Sequence, residues 1–366
     1  MSSDLLLALV VAAALTFDFT NGFHDTANVV ATSISTRALP PRLAILIAAI
    51  LNFVGAFLSL KVAATIASGL VDTELVTLQV VFAGLVGAIL WNLLTWWYGL
   101  PSSSSHALIG GVVGAMLAAA GPSAIDGDGI LGKVVVPALV APVLAFVVAG
   151  VAIVCAYRII GQLRPGPVTR GYRLGQIASG SLLALAHGTN DAQKTMGIIT
   201  LALVAHGTLS PVDPEVPLWV VVSSAAAIAL GTYSGGWRII RTMGSRIIKM
   251  DAAQGFSAQG SGAAVILAAT HVGVPLSTTH VISGGVVGAG AAKRLSAVRW
   301  GVAGNMAVAW VLTLPAAGLT GAIAYAISWA VGGGTVGPIV VCAIMLASIW
   351  LFVRARQTPP PIAEAA

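Results

Sequence analysis

The side chains that could bind ions or transfer protons are concentrated in two short polar motifs that interrupt apolar stretches. The first motif, NGFHDTAN, begins at Asn21, and the second, AHGTNDAQK, begins at Ala186. Aligning the glycines of the two motifs pairs Asp25 with Asp191. A carboxylate at the centre of a membrane span costs roughly 2.5–3.5 kcal/mol on insertion scales, so its presence in both motifs indicates a functional site.

The composition requires a membrane setting for these motifs. Only 8% of the residues are charged and 57% are hydrophobic, with a mean hydropathy of +0.96. A soluble domain is about 25% charged, so we expect an integral membrane protein. The formal net charge of +6 comes from basic residues in short loops and does not indicate a nucleic-acid partner. Cys155 and Cys342 both lie in apolar runs, so no disulfide framework is expected.

A second pair of motifs predicts two helical hairpins. GLPSSSSHALIGGVVGA begins at Gly99, and GVPLSTTHVISGGVVGA begins at Gly273. The proline ends one helix, and the hydroxyl residues that follow can cap the next. Helix N-termini favour anions, so two opposed tips predict an anion site. The hydroxyl residues expected to face one cavity there are Ser103, Ser104, Ser105, Ser277, Thr278 and Thr279.

An anion does not neutralise Asp25 and Asp191, so a cation is expected to share the site. Sodium, a proton and a divalent metal are the candidates, and both carboxylates are candidate metal ligands. Lys194 lies three residues beyond Asp191, so a structural ion pair is the alternative for the second motif. The residues expected to couple a cation or proton are Asn21, His24, Asp25, Asn28, Asn190, Asp191, Gln193 and Lys194.

Charge segregation predicts how the chain crosses the membrane. Basic loops are expected in the cytoplasm, and the acidic loops at Asp72, Asp126 and Asp213 outside. The resulting fold is an all-α integral membrane protein with two inverted-topology repeats, each containing a broken helix and a re-entrant helical hairpin. The first break is expected near Gly22. Residues 1–366 form one transport domain, with repeats at about 5–157 and 174–353, a cytoplasmic loop at 158–173 and a short tail at 354–366.

These motifs resemble those of the inorganic phosphate transporter (PiT) family. GFHDTAN and GTNDAQK resemble its paired GxNDxAN-type motifs, and PSSSSH and PLSTTH resemble its hairpin motifs. The resemblance implies cation-coupled uptake of inorganic phosphate at a site formed by the paired aspartate motifs and both tips. His24, Gln193, Lys194, Asn52 and Gln259 depart from the family pattern. The departures resemble bacterial low-affinity permeases, which implies proton coupling and a metal–phosphate complex as a candidate substrate.

Three alternatives remain at this stage: a sodium-coupled phosphate symporter, a sulfate permease on the same scaffold, and an intramembrane serine hydrolase using Ser103–Ser105 with His106 as base. Hydrogen phosphate can donate a hydrogen bond to a carboxylate whereas sulfate cannot, which favours phosphate. Duplication of every element argues against an enzyme. No cofactor beyond the coupling cation is expected. The predicted partners are phosphate, the coupling ion and the lipid bilayer, with a homodimer as one open expectation. The predicted location is a cell membrane, namely the cytoplasmic membrane of a bacterium.

Overall fold

The computed structural model describes residues 2–68, 71–160, 164–212 and 214–357. Helices dominate this part of the chain, and its β-pairing is limited to one isolated antiparallel bridge between Val71 and Ile125. The prediction of an all-α protein is therefore confirmed. Asp213 and the tail beyond residue 357 lie outside the described residues, so the expectations for them stay predictions.

The helices follow one another with short connections. The first half contains α1 (Ser2–Ser35), α2 (Pro41–Gly55), α3 (Lys61–Ser68), α4 (Leu78–Tyr98), α5 (Ser104–Ala120), α6 (Gly127–Ile130) and α7 (Val136–Ile160). The second half contains α8 (Pro165–Ala205), α9 (Leu218–Ser234), α10 (Trp237–Arg241), α11 (Ala252–His271), α12 (Thr278–Lys293), α13 (Trp300–Ala330) and α14 (Val336–Gln357). Two π-helical turns, at Leu131–Val135 and Thr242–Arg246, extend α6 and α10.

Several of these helices have the length and apolarity of membrane spans. Within the described residues four helical segments qualify alone, namely Ser3–Ser35, Leu78–Tyr98, Gly127–Ile159 and Trp300–Ala330. A fifth span results if Leu218–Ser234 and Trp237–Arg246, which meet at 59°, are counted as one. The chain is therefore a helical membrane protein.

The predicted break of the first helix is wrong. α1 continues through Gly22, and α8 likewise continues through Gly188. Each glycine instead permits a close helix–helix contact, because a Cβ atom at Gly22 would overlap the carbonyl oxygen of Ile228 in α9. A Cβ atom at Gly188 would overlap the carbonyl oxygen of Asn52 in α2 in the same way. Small residues commonly allow such close approach between membrane helices.

The predicted cytoplasmic loop at 158–173 is also largely helical. α7 extends to Ile160 and α8 begins at Pro165, while residues 161–163 are not described. Proline fits the first turn of a helix, since the N–H that it lacks has no helical acceptor there. Two of the four arginines of this stretch, Arg170 and Arg173, therefore lie in the first three turns of α8, while Arg158 lies in α7 and Arg164 directly precedes α8.

Helix contacts repeat between the two halves of the chain. α1 packs on α9 as α8 packs on α2, and α5 packs on α13 as α12 packs on α7. Glycines mediate the second pair of contacts, with Gly114 against Gly318 in α13 and Gly288 against Phe146 in α7. Each half therefore supplies the packing surface for the other. The inverted orientation of the halves and the re-entrant nature of the hairpins stay predictions.

The first arm of the first hairpin is long. α4 has 21 residues and has the length and apolarity of a membrane span by itself. It ends at Gly99, whose φ of 65° lies in the left-handed region that glycine adopts without steric cost. The turn that follows delivers the start of α5 to the centre of the bundle.

Candidate functional site

Both hairpin tips are fixed by side-chain caps. The Ser103 hydroxyl accepts a hydrogen bond from the His106 backbone N–H at 3.1 Å, and the Ser277 hydroxyl accepts from the His280 N–H at 3.3 Å. Both serines therefore act as N-caps of α5 and α12, as their positions after the prolines suggested. Among the predicted phosphate-binding residues, these two have a clear local structural role.

The residues after the caps bring the two tips to the aspartate of α1. Ser104 and Thr279 each place a hydroxyl 3.4 Å from Asp25 Oδ1, and Thr278 lies 3.4 Å from Asp25 Oδ2. Thr278 also lies 3.1 Å from Asp191 Oδ2, so one hydroxyl reaches both carboxylates. The tertiary structure thus assembles one cluster from both tips and both aspartate motifs.

Lys194 is fully engaged within this cluster. Its ammonium donates to Asp191 Oδ1, to Ser105 Oγ at 2.5 Å and to the Leu276 carbonyl at 2.7 Å. An ammonium has three donors, so these acceptors satisfy all of them. The side chain is 1% exposed, which makes the Asp191 pair a buried ion pair. The ion pair considered from the sequence is therefore present, and it also ties the two tips together.

The first motif makes the matching contact with an uncharged group. Asn28, which aligns with Lys194, donates to Thr279 Oγ1 at 2.9 Å. Thr279 and Ser105 occupy matching positions of the two tips, each directly before the histidine. The two halves thus form equivalent contacts, but only the second brings a fixed positive charge.

His24 extends the cluster from Asp25 towards α4. Its Nδ1 lies 2.6 Å from Asp25 Oδ1, and its Nε2 lies 3.1 Å from Thr95 Oγ1. Ser102 Oγ is 3.4 Å from the same Nε2. The imidazole therefore connects the carboxylate to hydroxyl groups at the start of the first tip.

His187 also belongs to the site, although it is not among the residues predicted from the sequence. Its Nε2 lies 3.1 Å from Asp191 Oδ2, and its Nδ1 lies 3.2 Å from Asn52 Oδ1. Ligand atoms of Asp25, His187 and Asp191 all lie within 4.8 Å of one another, a spacing that could hold a metal ion. The four-residue spacing of His187 and Asp191 on one helix was the signal available in the sequence.

Other predicted residues lie at the edge of the cluster. Asn190 donates to Thr270 Oγ1 at 2.8 Å, in α11, and does not reach either carboxylate. The side-chain oxygen of Gln193, Oε1, accepts a hydrogen bond from the Val62 backbone N–H at 2.8 Å and so anchors the start of α3. The side-chain amide of Asn21 lies near Asp18 of the same helix. These three side chains therefore have surroundings different from those of Asp25 and Asp191.

His106, which the hydrolase alternative requires as its base, packs against another histidine. The His106 Nδ1 atom has no hydrogen-bond partner among the described residues, and its ring packs edge-on against His280 with centroids 4.8 Å apart. His280 in turn stacks on Trp310. The two histidine rings therefore belong to a contact between the hairpins.

The cluster is buried and charged. Asp25, Asp191, Lys194, His24 and Thr278 are each at most 2% exposed. Two carboxylates and one ammonium leave one negative charge uncompensated when the histidines are neutral. Hydroxyl donors at helix N-termini beside such a centre suit a small anion that arrives with positive charge.

A helical membrane bundle that joins two matching tips around paired buried carboxylates belongs to the class of ion-handling membrane transporters. Within that class the chain belongs to the phosphate transporter family, whose sequence profile matches residues 21–321. It is a transporter and not an enzyme.

Curated relatives agree with this assignment. A probable low-affinity inorganic phosphate transporter of Mycobacterium bovis (strain ATCC BAA-935 / AF2122/97) is 54% identical over 356 residues, 97% of this chain and 85% of the relative. A protein of the same description from Bacillus subtilis (strain 168) is 46% identical over 325 residues, 88% of this chain and 96% of the relative. A solved structure described as the sodium-dependent phosphate transporter shares 25% identity and a TM-score of 0.79, covering 88% of this chain and 98% of that one.

Proposed function

We propose that this chain is a symporter that imports inorganic phosphate together with protons. The single observation that carries the proposal is the occupation of the cluster by the Lys194 ammonium, which meets three acceptors at the junction of both tips. The fixed positive charge of Lys194 already compensates the Asp191 carboxylate, so a sodium ion is not required beside Asp191. Charge compensation at Asp25 then falls to His24, whose Nδ1 is 2.6 Å away.

Phosphate is the anion that the donors and acceptors favour. Ser104, Thr278 and Thr279 offer hydroxyl donors, while Asp25 offers an acceptor at the same place. Hydrogen phosphate can donate its own proton to a carboxylate and accept from the hydroxyls, whereas sulfate only accepts. A sulfate ion has no proton to donate, so it and the Asp25 carboxylate would repel each other without a compensating hydrogen bond.

The proton is proposed to bind the His24–Asp25 pair. An imidazole ring can bind a proton at one ring nitrogen and release it again, so His24 can carry the proton beside Asp25. The site without substrate has a net charge of about −1 when both histidines are neutral, and phosphate makes it more negative. Protonation of the pair reduces this charge before the loaded site moves through a low-dielectric environment.

A metal–phosphate complex is the second candidate substrate. Asp25, His187 and Asp191 present ligand atoms within 4.8 Å of one another, and carboxylate and imidazole groups suit several divalent ions. A divalent ion carried with hydrogen phosphate would form a neutral complex. In that case the metal is cargo and leaves the protein with the phosphate.

Uptake of radiolabelled phosphate into proteoliposomes tests the proposal, with proton, sodium and divalent-metal gradients imposed separately. An inward proton gradient should accelerate uptake without sodium, and His24→Gln should lose most of that acceleration. His206→Gln, a histidine far from the cluster, serves as the control. Strict sodium dependence at fixed pH, with no response to a proton gradient, would show that the proposal is wrong. Stimulation by magnesium alone would favour the metal complex.

The location of the protein is inferred from the relatives. The two curated relatives described above are from bacteria, which supports a bacterial cytoplasmic membrane as the site of action. The homodimer expected from the sequence remains a prediction, because a single chain does not test it.

A further inference from the structure

Uncharged polar side chains continue from the phosphate cluster towards the end of the bundle where α1 finishes and α8 begins. Gln259 of α11 donates through Nε2 to the Val29 carbonyl at 3.1 Å, one residue beyond Asn28 of the cluster. The same nitrogen donates to Ser33 Oγ at 2.8 Å. Ser179 of α8 donates to Gln259 Oε1 at 3.3 Å. Three helices therefore meet around one amide group directly beside the cluster.

The polar contacts continue about one helical turn further. Thr36 Oγ1 of α1 donates to Gln176 Oε1 of α8 at 2.7 Å. The Gln176 side chain is 0% exposed, and its Nε2 atom has no hydrogen-bond partner among the described residues. A buried amide N–H without an acceptor is costly unless water or an anion meets it. Five buried side chains thus form a continuous polar band, namely Ser33, Thr36, Gln176, Ser179 and Gln259.

The corresponding positions in the other half of the repeat are apolar. The alignments of the aspartate motifs and of the hairpin tips match the polar band with Val10, Ala13, Leu85, Ile199 and Ala202. These residues belong to one hydrophobic cluster or pack against it. Corresponding helices therefore pack together in the other half without polar side chains at these positions. Helix adhesion alone does not explain the polar band, although hydrogen bonds between membrane helices can serve it.

The chemistry of the polar band suits an anion that passes through. Its hydroxyl and amide groups can replace part of the water around phosphate, but they bring no fixed charge that would hold the ion. A transport route requires such contacts, since binding must be favourable enough for entry and weak enough for departure. The band ends beside the basic residues Arg37, Arg170 and Arg173. An anion that leaves along the band would therefore emerge among positive charges.

We propose that the polar band lines the route by which phosphate leaves the cluster towards the basic end of the bundle, while the apolar counterpart remains closed to water. The band side chains are buried here, so the route opens only when α1, α8 and α11 separate. This inference rests on the proposed function, because it requires phosphate as the cargo. It does not depend on which cation is coupled.

Reaction of single cysteines with a membrane-impermeant anionic methanethiosulfonate tests the route. Ser33→Cys, Ser179→Cys and the control Leu85→Cys are introduced separately into a protein with Cys155 and Cys342 changed to alanine. Inverted membrane vesicles expose the end expected in the cytoplasm. Phosphate on both sides, with sodium present at neutral pH, lets the carrier cycle by exchange whichever cation is coupled. Both band cysteines should react about tenfold or more faster than Leu85→Cys, because a thiol reacts only where water and reagent reach it.

A second variant separates passage of phosphate from its binding. Gln259→Leu copies Leu85 of the other half, and it should slow phosphate exchange about tenfold or more because the polar lining is lost. The half-saturating phosphate concentration for binding to the purified protein should stay unchanged, since Gln259 lies outside the cluster. Gln79→Leu, which replaces a glutamine of α4 that bonds to the Gly334 carbonyl, is the matched control and should exchange normally.

Two results would overturn the proposal. One is reaction of both band cysteines no faster than that of Leu85→Cys, and the other is exchange by Gln259→Leu at the wild-type rate. A loss of phosphate binding equal to the loss of exchange would also contradict a role in passage. Strict sodium dependence of uptake would contradict the proton coupling proposed above and would leave these outcomes unaffected.

Discussion

Lys194 Nζ lies 2.5 Å from Ser105 Oγ, and the matching pair of the other half, Asn28 and Thr279, is separated by 2.9 Å. The repeat therefore places a charged donor on one side of the cluster and a neutral donor on the other. This asymmetry gives one half of a duplicated site a permanent positive charge. This asymmetry is the basis of the proton-coupling proposal. The Lys194 ammonium occupies the place beside Asp191 where a coupling cation would otherwise bind.

Removal of the Lys194 charge should destabilise the protein. Lys194→Gln leaves the buried Asp191 carboxylate without its counter-charge, which should lower the free energy of unfolding by about 3–5 kcal/mol. Melting temperature in detergent measures the effect, with the exposed Lys249→Gln as a control. Adding Asp191→Asn to Lys194→Gln should recover part of the loss. A single variant that melts like the wild type would mean that the ion pair contributes nothing.

The Thr278 hydroxyl should matter for uptake because it reaches both carboxylates, at 3.4 and 3.1 Å. Thr278→Val removes a hydrogen bond to a charged group or to bound phosphate, worth about 1.5–3 kcal/mol. Phosphate uptake should fall about tenfold or more, since 1.4 kcal/mol corresponds to a factor of ten. Thr278→Ser, which keeps the hydroxyl, should retain most of the uptake. Equal uptake by the valine and serine variants would contradict this role.

Two glycines of α8 offer a matched test of close helix packing. Gly188→Ala should destabilise the protein because its Cβ atom would overlap the Asn52 carbonyl oxygen. At Gly166 no atom lies within 4 Å of the place that a Cβ atom would take, so Gly166→Ala should be neutral or stabilising by up to about 1 kcal/mol. Thermal melting of both variants provides the comparison. If Gly188→Ala were as stable as Gly166→Ala, the close contact between α8 and α2 would be wrong.

The stability of the α11 start should depend on pH through Asp251. Burial opposes the charge of Asp251, but hydrogen bonds from Tyr157, the Gln254 backbone and Lys293 outweigh it and hold the pKa of the carboxyl below its ordinary value. A lowered folded-state pKa adds stability above the ordinary value of about 3.9, and this is lost as the pH falls through the folded-state pKa.

Asp251→Asn keeps a capping side chain but has no charge to titrate. The difference in melting temperature between wild type and Asp251→Asn should therefore be largest near neutral pH and shrink below about pH 4. A difference that stays constant with pH would show that the charge of Asp251 is unimportant.

The inverted orientation of the halves predicts where loops lie. Single cysteines replacing Asp126 and Arg164, in a protein with Cys155 and Cys342 changed to alanine, should label from opposite sides of the membrane. Impermeant maleimide applied to intact cells should reach the Asp126 position alone. Labelling of both positions from the outside would contradict the predicted inversion.

The sequence alone determined the helical membrane class and the local features of the site. Apolar runs predict helices because backbone hydrogen bonds must be satisfied within a span. Proline followed by hydroxyl residues predicts the caps at Ser103 and Ser277, because capping is a contact within three residues. The sequence also identified the two aspartate motifs as a functional site, because a carboxylate in an apolar membrane span is energetically costly and is usually functional.

Tertiary packing decided what those local features contact. The continuous path of α1 through Gly22 depends on the approach of α9, which no pattern within α1 encodes. The inclusion of His187 and the separation of Gln193 from the cluster depend on how α2 and α3 pack against α8. Hydrogen-bond partners distant in sequence are chosen by helix packing, so residue type and spacing identified the groups while the fold determined their partners.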